Sequence, residues 1–151
     1  MYITPHERSI GAILGLTYRR MSQLLMNRLK DYDITPEQWS VLHQIYREEG
    51  LNQKEIAHRS AKDQPTTARL MDVLDRKGWA RRAPSAQDRR AYLLYLTDAG
   101  RKLIEETLPI EKQISSEFLK GIDERNFEHF MTILRQIQAN ITELEQQGEK
   151  Q

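Results

Sequence analysis

Apolar residues recur at three- and four-residue steps through most of this chain, and the places where that period fails mark its turns and strands. Ile10, Ile13, Leu14, Met21, Leu24, Leu25 and Leu29 predict a helix over 7–30, broken by Asp31-Tyr32-Asp33. Thr35-Pro36-Glu37-Gln38 opens the next helix. Thr35 can cap it, Pro36 suits the first helical position, and Gln38 can reach back to close a capping box. Trp39, Leu42, Ile45 and Tyr46 form its apolar face, and Gly50 is the expected left-handed stop. Asn52 with Glu55 three residues later, and Leu51 placed to staple onto Ile56, start a short helix over 52–59. After a polar turn at 60–62, Asp63 caps a helix whose Leu70, Met71 and Leu74 face inward with Thr67, and Gly78 ends it.

The period then changes from helical to alternating. Trp79–Ala83 and Ala91–Leu96 read as two strands, with Tyr92, Leu94 and Leu96 on one face and the turn-rich Pro84–Asp88 between them. Thr97 caps a long helix over 98–120 that Pro109 should kink. Asp123 caps the last helix, with an Ile122–Phe127 staple. There Phe127, Phe130, Leu134, Ile137, Ile141 and Leu144 step by three and four, an a/d seam of the kind that packs helix against helix. The tail Gly148–Gln151 is expected to fray. The economical organisation is one domain over 1–151. Within it, 52–77 is a pair of helices, 79–96 a hairpin, and 7–30 and 98–147 helical extensions whose seam suits self-association.

Net charge is only +1, but its distribution is uneven. Residues 54–102 carry twelve Lys or Arg against six Asp or Glu, and the remainder carries eleven against sixteen. A basic middle within an acidic chain suggests a polyanionic partner. Other classes fare worse. No apolar run is long enough to span a membrane, and Met1–Ile10, with His6, Glu7 and Arg8, lacks the core of a signal peptide, so a cytoplasmic protein is expected. The absence of cysteine removes thiol chemistry. The four histidines have no metal-ligand spacing, and no phosphate-cradling glycine loop or nucleophile motif is present. No enzyme, metal or cofactor is therefore expected.

A compact helix pair followed by an arginine-tipped hairpin can place one probe in a DNA major groove and another in the neighbouring minor groove. On the helix beginning at Asp63, Arg69 can donate two hydrogen bonds to guanine, and Gln64 can pair with adenine. Thr66 can bond a phosphate or a base, and Ala68 offers apolar contact. Thr67, on the inward face, is chiefly a core residue by spacing, although it stands among the contact candidates. At the hairpin tip Asp88 can hold Arg89 or Arg90 in one rotamer for a narrow minor groove. Lys54, Arg59, Lys62 and Arg81 are candidate phosphate clamps. Double-stranded DNA is the partner these residues favour; a protein-interaction adaptor built on the same elements is the alternative.

The helix before, the Thr35–Trp39 opening, Asn52 to Gly78, Asp88-x-Arg90, Leu96-Thr97-Asp98-Ala99-Gly100 and the two long helices after together resemble the MarR-type (multiple antibiotic resistance regulator) family. The resemblance implies a mainly α, α+β winged helix-turn-helix with terminal helices forming a dimerisation domain. It implies a homodimer reading a pseudo-palindromic operator, with the helix at 63–77 as recognition helix and Arg90 as wing arginine. It also implies a transcriptional repressor released by a small phenolic or anionic effector near Tyr18, Arg19, His43 and Tyr46. Ala68 stands where hydroxyl residues are frequent in the family, and without cysteine a peroxide-sensing thiol switch is excluded.

Overall fold

The computed structural model describes residues 9–148, so positions 7 and 8 of the first expected helix and 149–151 of the expected frayed tail lie outside the described residues. Six helices and three short strands follow in order: α1 (Ile10–Leu29), α2 (Pro36–Arg47), β1 (Leu51–Asn52), α3 (Gln53–Arg59), α4 (Gln64–Arg76), β2 (Ala80–Pro84), β3 (Tyr92–Leu96), α5 (Asp98–Phe118) and α6 (Glu124–Gly148). The helical ends are those the capping chemistry dictates. Thr35 Oγ1 accepts the Gln38 N–H at 3.2 Å while Gln38 Oε1 accepts the Thr35 N–H at 3.3 Å. Asn52 and Glu55 form the same reciprocal pair at 2.9 and 2.8 Å. Asp63 and Asp123 each accept an N–H three residues on at 2.7 Å.

Two local expectations are corrected. α2 ends at Arg47, not at Gly50, because Glu48 turns extended (φ −156°). Gly50, at φ +82°, instead turns the chain into a third strand, its N–H donating to Leu94 at 2.9 Å. That strand, β1, is two residues long, too short to show a period of its own. The sheet is antiparallel with β3 central, in the order β1-β3-β2. α5 contains Pro109 within one helix, as expected, but stops at Phe118 rather than 120.

The chain divides into two compact units, Met1–Ile114 and Ser115–Gln151, with the division falling in the last residues of α5. The first unit contains the core: Leu29, Ile34, Trp39, Val41, Leu42, Ile45, Ile56, Met71, Leu74, Leu94 and Ile104 are all buried. Its buried polar groups are satisfied. Trp39 Nε1 donates to Thr107 Oγ1 at 2.8 Å, and that hydroxyl donates onward to the Leu103 carbonyl at 2.7 Å. Yet α1 leaves Ile10, Ile13, Leu14, Leu16, Tyr18 and Leu24 exposed. In the second unit α6 buries none of its side chains. Of the expected seam, Phe127, Leu134 and Ile137 are partly covered, and Phe130, Ile141 and Leu144 are exposed.

Thr97 and Gly100 join the hairpin to α5. Thr97 Oγ1 donates to the Gly78 carbonyl at 2.6 Å and accepts the Gly100 N–H at 3.0 Å. A Cβ at Gly100 would lie 1.8 Å from the Trp79 carbonyl oxygen, so only glycine fits. Gly100→Ala should therefore cost roughly 1–3 kcal/mol through the forced backbone shift. Calorimetry should then show a melting temperature lower by several degrees; an unchanged melting temperature would mean the junction is loose.

Candidate nucleic-acid interface

α3, α4 and the β2–β3 hairpin lie in the first unit, and each candidate side chain can be placed on them. The α3–α4 turn closes through Ala61, in the left-handed region (φ 53°), with Lys62 N–H donating to the Ala57 carbonyl at 2.9 Å. On α4, Gln64 and Arg69 are exposed and Ala68 is half-buried. Thr66 is less free than its residue type suggests. Its hydroxyl donates to Asp63 Oδ2 at 2.9 Å and accepts from Arg69 Nη2 at 3.3 Å, so it ties the helix cap to the arginine. The Asp63 carboxyl is held below its ordinary pKa first by the Thr66 N–H, then by the Thr66 hydroxyl, with the Arg69 charge adding to the effect. Thr67 is fully buried and its hydroxyl donates to the Asp63 carbonyl at 2.9 Å. It belongs to the core and is removed from the contact candidates.

The wing tip spans Ser85–Ala91, closed by Ser85 N–H donating to the Ala91 carbonyl at 3.0 Å. Asp88 does not grip an arginine side chain. Its carboxylate accepts the backbone N–H of Arg90 at 2.9 Å, while its own N–H donates to Ser85 Oγ at 3.4 Å. The expected rotamer clamp is thus a turn clamp, because an Asp side chain reaches its own backbone two residues on more readily than a distant guanidinium. Arg89 and Arg90 are exposed, and no carboxylate of the described residues lies within ion-pair distance of either.

Among the expected phosphate clamps, Lys54 is exposed on α3 and Lys62 half-buried at the turn, neither with a carboxylate partner among the described residues. Arg59 is paired with Glu48 at 2.6 Å, which weakens its claim on a phosphate. Arg81 projects from β2 with its guanidinium 4.7 Å from the Tyr95 ring centroid. Two residues escaped the sequence reading. Arg82 bonds α4 through Asp72 at 2.8 Å, and Tyr92 stands 55% exposed at the outer end of β3. Tyr92, Arg82 and Arg90 border one groove with Asn52, Gln53 and Lys54. Alternation along β3 already puts Tyr92 on the face of Leu94; only the β2–β3 register adds Arg82, which pairs with the buried Leu94.

The four effector candidates do not converge. Tyr18 and Arg19 line a groove between α1 and α2 with Ser22, Gln23, Met26, Pro36 and Glu37. His43 is elsewhere, stacked on Trp39 at 4.7 Å, its pKa lowered chiefly by burial and raised in part by Glu111. Tyr46 lies under the Arg101 guanidinium, 5.8 Å from its ring centroid.

The sequence model of the MarR family matches residues 32–91, from the turn before α2 to the wing tip. Among solved structures, that of MepR from S. aureus in complex with DNA is 27% identical, covering 87% of this chain and 98% of MepR with a TM-score of 0.81. A MarR transcriptional regulator from Methanosarcina mazei is also 27% identical, over 89% of this chain and 97% of its own, with a TM-score of 0.75. The winged helix of this chain is of the MarR type. A protein of unknown function from Listeria innocua is 40% identical over 87% of this chain and 91% of its own, with a TM-score of 0.64. The MarR winged helix-turn-helix is therefore the fold of this protein, with α3–α4 as its helix pair and β2–β3 as its wing. No described helix is long and apolar enough to cross a membrane.

Proposed function

We infer that this protein is a sequence-specific DNA-binding transcriptional regulator. The observation that carries this reading is the pairing, on one folded lobe, of Arg69 at the exposed face of α4 with Arg89 and Arg90 at the wing tip. All three guanidinium groups lie beyond ion-pair distance of any described carboxylate. Asp72, three residues further along the same helix, faces Arg82 instead, and Asp63 meets Arg69 only through the Thr66 hydroxyl. A cation that is not paired within the protein keeps its charge for phosphates and base edges. MepR, which shares this fold, was solved bound to DNA.

The finer reading is of a homodimeric cytoplasmic repressor without catalytic activity. The bare apolar sides of α1 and α6 support self-association. Two copies would present their α4 helices about one DNA turn apart, ~34–36 Å, to successive major grooves of a pseudo-palindromic site. A small phenolic or anionic effector is assigned to the α1–α2 groove, where Tyr18 offers an aromatic face and Arg19 a charge beside Glu37. Such a ligand would act by preferring the α4 spacing that cannot bind, and a preference of a few kcal/mol is enough to shift the population.

The test is selection of bound duplexes from a random pool, followed by affinity measurements across salt concentrations. A sequence motif with two related halves is expected, with a log–log salt slope of roughly −0.9 per phosphate neutralised. Enrichment of no motif together with a flat salt response would favour the adaptor. Arg69→Ala should change the preference among operator variants by about tenfold at one base pair, a discrimination of 1–3 kcal/mol. A uniform loss across variants would demote it to a phosphate contact.

A further inference from the structure

Arg82 sits in the middle of β2, directly opposite Leu94 of β3, so the pleat turns it to the core side of the hairpin. Arg81, one position earlier, opposes Tyr95 and lies on the other face. From the core side the Arg82 guanidinium, 24% exposed, reaches three acceptors on α4. It lies 2.8 Å from Asp72 Oδ1 and 3.8 Å from Asp75 Oδ2, and it donates to the Ala68 carbonyl at 3.4 Å. Positions 68, 72 and 75 step by four and three, so one stripe of α4 presents all three to a single side chain.

A planar guanidinium held at several points resists rotation as well as displacement, which a flexible lysine ammonium does not. The contact therefore joins the two elements that carry the probes: α4 with Arg69 and the hairpin with Arg89 and Arg90. It also neutralises two aspartates on the helix that faces the polyanion. We propose that Arg82 is a positioning residue that sets the wing's distance from α4, and thereby the number of base pairs separating the tract read by the helix from the tract entered by the wing. The cost of ordering the two probes is then met on folding rather than on binding. This inference rests on the DNA-binding reading above.

The test uses the full chain and the duplex it selects, beside a duplex with one base pair inserted between the helix-contacted and wing-contacted tracts. Arg82→Ala and the double variant Asp72→Asn with Asp75→Asn break the contact from opposite sides with opposite changes in charge. Both should lose about tenfold in affinity for the selected duplex, a typical coupling for residues in one network. Both should also lose most of their discrimination against the inserted base pair, and Arg82→Lys should restore only part of each. If Arg82 merely met a phosphate, the double aspartate variant, more positive by two charges, would bind more tightly with its discrimination intact, and that result overturns the proposal. A readout without DNA stands beside these. The chain has no cysteine, so spin labels at Gln87→Cys and Arg76→Cys, diluted with unlabelled protein, report the wing-to-helix distance. A narrow distribution that broadens in Arg82→Ala supports the anchor; equal widths overturn it. If the native chain selects no duplex, the functional reading fails and the base-pair spacing falls with it, while these distances still decide whether Arg82 fixes the wing.

Discussion

Arg90→Ala should weaken binding to the selected operator by tenfold or more, about 1.4 kcal/mol at least, while the melting temperature stays unchanged. The expected size follows from where the residue stands. Its backbone is set by the Asp88 carboxylate at 2.9 Å, so the direction in which the side chain leaves the turn is defined before DNA arrives. Its side chain is exposed at the end of a hairpin, where it does not contribute to the core. In a narrow minor groove the potential is at its most negative, and an arginine there replaces ordered solvent with a charge in the right place. Fluorescence anisotropy at fixed salt measures the loss, and the salt slope should become shallower by roughly one unit. Native affinity in the variant would remove the wing from the mechanism.

Leu134→Lys combined with Ile137→Lys is expected to convert a dimer into a monomer at micromolar concentration, read by sedimentation velocity. α6 is 25 residues long and buries none of them, while Ile141 and Leu144 are 49% and 66% exposed. A helix with so much bare apolar surface is poorly satisfied alone, and a second copy offers the same heptad face in return. Two lysines placed mid-seam would each need a charge desolvated against an apolar partner, at a cost of several kcal/mol. Operator binding should fall with the dimer, because one lobe can read only half of a two-part site. An unchanged sedimentation mass would reject the seam and move attention to the exposed apolar residues of α1.

Legibility varied with the range over which each feature is determined. Thr35, Asn52, Asp63, Thr97 and Asp123 all cap as their residue types suggest, because capping is decided within three or four residues. Thr67 was placed in the core by helical spacing alone, and its complete burial bears out that spacing over its residue type. β1 was missed because two residues carry no periodicity and its existence depends on Leu94, more than forty positions away. Asp88 meets the next-but-one N–H rather than a guanidinium, a choice that the preference of aspartate for its own backbone makes the more local one. Residue type marks Arg59 as a cation; its pairing with Glu48 at 2.6 Å is made across the α2–α3 connection, outside its own helix.

The order of helices, their caps, the wing and the charge imbalance of the middle segment were all determined by the chain on its own, since each depends on neighbours within one or two turns or on composition. Which arginines face outward and which is consumed inside was decided only by the tertiary structure. Arg81 and Arg82 are adjacent and chemically identical; the register Arg82↔Leu94 turns one toward Asp72 and Asp75 and the other toward Tyr95. Strand register is a long-range choice, set by which side of the hairpin must bury its leucines, and a single-residue slip would exchange the two arginines' roles.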